Sequence, residues 1–281
     1  MRFALITDVH FGPRAHFQGK LRKLSHEAGR LTRSFADHMR SAVRPDLVIQ
    51  LGDAIEDQSP AADRQHYAEF LAALAGFDAP VLHVAGNHDT VHLSERELGE
   101  LWGHDGPLYY SRRCGDVEFI VLHTQETKDV AVRLPEAQLA WLARTLEAAR
   151  PPVVVVMHHP ASEMHLAGNR WFEKAPHICR VAERKALRRV LEASGKVVAV
   201  FNGHAHWNHF DLIAGIPYVT LQSLTENVDD DAPGRAAAAF AVCDLDARRL
   251  RVDVGGEQPV RYQVELTGSY DVLGRRARTR Q

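Results

Sequence analysis

Pro80-Val81-Leu82-His83-Val84-Ala85, running straight into Gly86-Asn87-His88-Asp89, is the stretch that decides the fold of this chain. The apolar run is short and ends at a breaker, as a buried strand of a parallel sheet does. Gly86 is expected to let the backbone turn, which presents Asn87, His88 and Asp89 at the strand's carboxyl end. Ligand crevices of open α/β sheets form at that edge. An amide oxygen, an imidazole and a carboxylate in three consecutive residues suit metal binding and proton transfer. Taken alone, such a tetrapeptide is more often an ordinary polar turn.

Working outward, the same pattern recurs. Phe3 to Thr7 ends in Asp8-Val9-His10, and Asp46 to Leu51 ends in Gly52-Asp53. Val153 to Met157 ends in His158-His159-Pro160, and Val197 to Phe201 ends in Asn202-Gly203-His204-Ala205-His206. A parallel sheet would gather those carboxyl ends along one edge. Between the strands the apolar spacing predicts helices. One runs from Gly19 to Ala42, with Leu21, Leu24, Ala28, Leu31 and Phe35 on one face. Others start at Ser59-Pro60, run from Ser94 to Trp102, open at Pro135, and run from Ala182 to Ala193. The segment from Ala161 to Cys179, with His165, Arg170 and Trp171, lacks either periodicity, and loops of that length in a compact domain are often functional. After His206 only strands follow: Tyr218 to Leu221, Ala237 to Leu245, Leu250 to Val254 and Arg261 to Leu266. That order predicts two sheets packed between helices in one α/β domain over 1–267. Arg275, Arg276, Arg278 and Arg280 mark a basic, solvated tail over 268–281.

Composition narrows the function classes. With 45% hydrophobic and 25% charged residues over 281 positions, the chain can bury a large core without disulfide or metal staples. Its formal net charge of −2 argues against nucleic acid or an anionic membrane as partner. No run is long enough to span a bilayer, and the first apolar run is too short for a signal peptide. Cys114, Cys179 and Cys243 are scattered and odd in number, which predicts reduced thiols and a cytoplasmic setting. A homo-oligomer is left open.

Asp8, His10, Asp53, Asn87, His158, His204 and His206 are too many donors for one tetrahedral zinc. They suit two metals sharing a bridging carboxylate. With no thiolate among them, manganese, iron and zinc are favoured over a thiophilic metal.

Taken as an ordered set, Asp8-x-His10, Gly52-Asp53-x-x-Glu56, Gly86-Asn87-His88-Asp89, His158-x-Pro160 and Gly203-His204-x-His206 resemble the calcineurin-like metallophosphoesterase superfamily over residues 1–222. The resemblance implies a four-layer αββα sandwich of two mixed sheets flanked by helices. It implies two divalent or mixed-valence ions (Mn, Fe or Zn), one held by Asp8, His10, Asp53 and His206. Asn87, His158 and His204 would hold the other, with Asp53 bridging. His88 takes the catalytic position with Asp89 as its orienter. Asn87, His88, His159, His165, Arg170 and Trp171 are the candidate substrate contacts. Protein serine/threonine phosphatases carry Asp-Arg-Gly where this chain has Glu56-Asp57-Gln58, and Glu where it has Asp89. Class III cyclic nucleotide phosphodiesterases and glycerophosphodiesterases look closer. Leu134 to Leu142 and Ile216 to Val219 are similar to ADP-ribose and CDP-alcohol diphosphatases. The implied activity is hydrolysis of a small phosphodiester by in-line attack of a hydroxide activated between the metals. A small-metabolite phosphomonoesterase and a non-catalytic scaffold of the same fold are the alternatives.

Overall fold

Alternation along the first strand sorts the molecule into layers. In β1 (Arg2–Ile6), Phe3 and Leu5 point into one apolar cluster and Ala4 and Ile6 into another, as a period of two requires. The structure, a computed structural model, describes residues 1–127 and 131–266; the basic tail expected over 268–281 lies outside them. Next come a small hairpin, β2 (Ala15–Phe17) and β3 (Lys20–Lys23), then α1 (Ala28–His38), β4 (Leu47–Gln50), α2 (Pro60–Leu74), β5 (Val81–His83) and α3 (Glu95–Trp102). The chain continues through β6 (Tyr110–Cys114), β7 (Val117–Val121), the short pair β8 (Gln125–Thr127) and β9 (Ala131–Arg133), α4 (Glu136–Ala148), β10 (Val153–Val156) and α5 (Arg184–Ser194). It ends with β11 (Val197–Asn202), β12 (His209–Ile213), β13 (Ile216–Thr220), β14 (Phe240–Leu245), β15 (Arg249–Gly255) and β16 (Val260–Glu265).

Two six-stranded sheets result, in the orders β16-β15-β14-β1-β4-β5 and β12-β13-β11-β10-β7-β6. Both are mixed. The first joins a parallel half (β1, β4, β5) to an antiparallel one, and the second carries antiparallel edge strands β6 and β12 on a parallel centre. The sheets face each other through Phe3, whose ring meets Phe119 and Phe201 edge-on at 5.5 and 5.7 Å. On the outer face of the first sheet, Ile6 and Val48 pack on Leu31, Phe35, Tyr67 and Phe70 of α1 and α2. On the outer face of the second, Val153 and Val155 pack on Leu142, Leu146, Leu187 and Leu191 of α4 and α5. The result is the expected αββα sandwich. The start of α2 is also as read, with the Ser59 hydroxyl accepting the Ala62 N–H at 3.3 Å and Pro60 in the first turn.

Three expectations change. The helix expected from Gly19 to Ala42 starts only at Ala28, running as α-helix to His38 and on as a π-helical turn over Met39–Val43; before it lies the β2–β3 hairpin, turning through left-handed Gln18 and Gly19. Long-range partners override the helical spacing there: Leu21 N–H donates to Asp231 at 2.9 Å and Leu24 N–H to the Thr225 carbonyl at 2.8 Å. The strand expected from Ala237 begins at Phe240, because Ala238 is left-handed. Finally, the five donor-bearing ends come from two sheets: β1, β4 and β5 belong to one, β10 and β11 to the other. The donors therefore meet across the mouth of the sandwich.

Candidate metal centre

The loops that leave these strands are held open by hydrogen bonds between them. Asp8 N–H reaches the Gly52 carbonyl at 3.0 Å, and His10 N–H the Asp53 carbonyl at 3.0 Å. Across the sheets, His204 N–H reaches the Asp8 carboxylate at 3.0 Å, and within the second sheet Gly203 N–H reaches the His158 carbonyl at 3.1 Å. Asp8, His10, Asp53, His204 and His206 all adopt left-handed φ between 48° and 65°. L-residues rarely do so, at a cost of about 1–2 kcal/mol each, and the bonds between these loops sustain that strain. Gly86 is not among the positive-φ residues. It is glycine for want of space, since a methyl there would run into the Asp53 carboxylate and N–H. The expected backbone turn is thus a close approach instead. Gly203 is constrained alike, against Thr7 and the Asp8 carboxylate.

The donors gather in two groups. In the first, His10 Nε2 and His206 Nε2 face each other at 3.2 Å, and Asp8 Oδ1 lies 3.3 Å from His206 Nε2. In the second, His158 Nε2 faces His204 Nδ1 at 3.2 Å and Asn87 Oδ1 at 3.1 Å. Asp53 stands between them, its Oδ2 3.3 Å from His158 Nε2 and 3.9 Å from His10 Nε2. Its Oδ1 accepts the His88 N–H at 2.9 Å. Except for half-buried Asn87, these side chains are buried. Two buried pairs of ring nitrogens aimed at each other, with carboxylates around them, fit two cations.

Every histidine is also fixed from behind. His158 Nδ1–H donates to the Leu51 carbonyl at 2.9 Å, and His204 Nε2–H to the Ile178 carbonyl at 3.0 Å. His206 Nδ1–H donates to Glu226 at 2.7 Å, and His10 Nδ1 faces Glu56 Oε2 at 3.1 Å. Such partners select which nitrogen is left for a metal. Glu56 stands in a motif. Glu226 does not: it follows β13 in a segment without periodicity, and no signal in the sequence could have found it.

His88 pairs through Nδ1 with Asp57, and its ring lies edge-on to His10 with centroids 4.8 Å apart. At 25% side-chain exposure it is open where His10, His158, His204 and His206 are closed. The expected orienter, Asp89, does something else. Its buried carboxylate accepts N–H groups of Asp53, Ala54 and Gly86 at 2.8–2.9 Å and of Ile55 at 3.4 Å, which shapes the loop carrying Asp53. Converging backbone donors outcompete a neighbouring ring, and Asp57 takes the orienting place.

Of the other candidate contacts, His159 is fully buried behind the ligands, with Nδ1 2.7 Å from Thr124 Oγ1 and its ring 4.1 Å from that of His204. A substrate would not reach it. His165 is exposed and makes a local turn bond from Ala167 N–H. Arg170 donates to the Asn227 carbonyl at 2.9 Å, and Trp171 Nε1–H to Glu226 at 3.1 Å. Both are engaged beside His206.

The calcineurin-like phosphoesterase family model matches residues 1–208, the span holding all seven donors. The chain belongs to that family. It is 31% identical over 232 residues to 3',5'-cyclic adenosine monophosphate phosphodiesterase CpdA of Escherichia coli (strain K12), covering 76% of this chain and 74% of that protein. It is 28% identical over 187 residues to a cAMP/cGMP dual specificity phosphodiesterase of Mycobacterium tuberculosis, covering 66% of this chain. It spans only 56% of that relative's length. A dimetal phosphatase from Danio rerio shares the fold, with a TM-score of 0.75 over 95% of this chain and 99% of that one, at 19% identity. The site of this calcineurin-like phosphoesterase thus gathers side-chain clusters that could hold metal ions.

Its metal-free electrostatics carry a testable consequence. Burial opposes charge on all four of these facing histidines, yet Asp53 and Asp8 carry His158 up to about 10. Asp8 and Glu226 carry His206 up to about 9. Burial pushes His10 down to about 4, helped by Lys23, and His204 down to about 3, helped by His158. Protons on His158 and His206 thus stand where cations would sit. A raised folded-state pKa makes the metal-free fold bind more protons than the unfolded chain above the ordinary value of 6.5. These two groups therefore stabilise it fully below about pH 6.5, and that contribution falls as pH rises toward 9–10. Metal affinity should rise with pH over the same window, since each proton must leave first. Calorimetric metal titrations near neutral pH, in buffers of different ionisation heat, should show about two protons released per chain. Uptake without proton release would remove His158 and His206 from the ligand set.

Proposed function

We propose that this phosphoesterase hydrolyses a small-molecule phosphodiester, with cyclic nucleotides first among nucleotide and glycerol diesters. The observation that carries the proposal is His88, half open and held by Asp57 beside a two-group donor centre. The cyclic nucleotide phosphodiesterase names of its relatives support the substrate class. Asp8, His10, Asp53 and His206 would hold one ion and Asn87, His158 and His204 the other, with Asp53 shared. Two divalent or mixed-valence ions of manganese, iron or zinc match these oxygen and nitrogen donors. Bound there, they supply positive charge for the phosphoryl oxygens and lower the pKa of a coordinated water.

The chain's own residues do the rest. Burial and the Lys23 charge oppose protonation of His88, but Asp53, Asp57 and Glu56 outweigh them and raise its pKa. Asp57 occupies Nδ1, so Nε2 is the atom free to protonate a leaving oxygen. A diester, whose alkoxide leaves poorly, gains most from that proton. The absence of Asp-Arg-Gly argues against a protein substrate, and the net charge of −2 against a long polyanion. No helix among the described residues is long and apolar enough to cross a membrane. The three cysteines are unpaired, which supports a cytoplasmic setting.

The test is metal-reconstituted protein assayed on 3',5'-cyclic AMP, a chromogenic diester and the matching monoester. Diester kcat/KM should exceed that of the monoester by tenfold or more, about 1.4 kcal/mol in barrier. A monoester turned over more efficiently than every diester tried would replace this reading with a phosphomonoesterase.

A further inference from the structure

The four ligand histidines are not backed alike. Those of the second group rest on main-chain carbonyls, Leu51 and Ile178, whose positions the surrounding fold determines. Those of the first group face side-chain carboxylates, Glu56 and Glu226, both at least four-fifths buried. A buried carboxylate keeps its place only if something neutralises and holds it. For Glu56 that is Lys23, whose ammonium lies 2.5 Å from Oε2 with 5% of its side chain exposed. For Glu226 the Arg170 guanidinium at 3.6 Å neutralises the charge and the Trp171 indole N–H at 3.1 Å holds the carboxylate in place.

Trp171 also links the two holders. The Lys23 ammonium stands 5.4 Å from its ring centroid, and Phe17 stacks on the ring at 4.9 Å. Main-chain bonds complete the unit: Asn227 N–H donates to the Arg22 carbonyl at 2.7 Å, and Lys23 bridges to Glu226. The β2–β3 hairpin, the Ala161–Cys179 loop and the segment around Glu226 therefore grip one side of the centre together.

We propose that Lys23 and Trp171 are positioning residues for one metal of the pair, the one held by Asp8, His10 and His206 with Asp53. They act through Glu56 and Glu226 and leave the other metal untouched. Neither contacts substrate in this role. The inference rests on the two-metal centre and is independent of which ester is cleaved.

The test needs no substrate. Metal-free protein is titrated with zinc against a competing chelator, which resolves two dissociation constants. Lys23→Met should weaken one of them by about 10–100-fold, the usual worth of a group that orients a ligand, and leave the other within twofold. Trp171→Phe keeps the ring but loses the N–H, and should weaken the same constant. Lys23→Arg should restore most of the loss. Asn87→Ala weakens the other metal, so combining it with Lys23→Met should weaken both. Phe17→Ala breaks the stack but spares both carboxylates; it should lower Tm with both constants unchanged, which separates positioning from plain hairpin stability. If Lys23→Met leaves both constants as in wild type, or weakens both equally, the inference is overturned. Should Lys23→Met fail to fold, Trp171→Phe decides by the same criterion. Wild-type protein that shows both constants but hydrolyses no diester tried would instead count against the proposed substrate class and leave this inference standing.

Discussion

Asp53→Asn is expected to strip both metals from the centre while leaving the fold in place. The Asp53 Oδ2 atom lies within reach of a histidine from each group, 3.3 Å from His158 and 3.9 Å from His10. Burial opposes its charge, but His158, His88 and His10 hold its pKa well below the usual carboxylate value, so it stands ionised between the two groups. Asparagine keeps the shape and can still accept the His88 N–H, but it removes one of two negative charges among the seven donors. Elemental analysis after reloading with manganese or iron should find close to two metals per chain in wild type. The variant should hold less than one at the same free metal. Asn87→Ala, by contrast, should lose mainly one, because its Oδ1 faces His158 of the second group. Two retained metals in Asp53→Asn would contradict the shared carboxylate.

Replacing His88 should produce the opposite phenotype. His88→Ala is expected to keep both metals and its thermal stability while losing about 10²–10⁴ in turnover, the usual worth of a positioned acid. The side chain is held by Asp57 and packs on His10, yet supplies neither facing pair of ring nitrogens. The loss should shrink for a diester with a good phenolate leaving group, which needs no proton, and be largest for an alkoxide. Asp57→Asn should show the same leaving-group trend with a smaller loss. A His88→Ala enzyme that cleaved alkyl diesters at the wild-type rate would end the acid assignment.

The readable part of this chain was local. Each donor motif follows an apolar run within a few residues, so the alternation of β1 and the buried runs of β4, β10 and β11 announce both strand and site. Proline and serine placed the start of α2 because capping is settled within one turn. What went unread depended on distant segments. The residues of β3 carry a helical spacing but are claimed by Thr225, Asn227 and Asp231. Asp89 lies next to His88 in sequence but answers to the backbone of residues 53–55.

By itself, then, the sequence determined that seven oxygen and nitrogen donors and one extra histidine end the strands of a two-sheet α/β domain. It could do so because strand, breaker and donor are neighbours along the chain. The resemblance already implied how they divide into two groups; only the tertiary structure decided which nitrogen each histidine offers, and that Glu56 and Glu226 stand behind one group and main-chain carbonyls behind the other. Those choices are made between residues such as His10 and His206, 196 positions apart, whose approach depends on how two sheets pack. No local pattern encodes that distance.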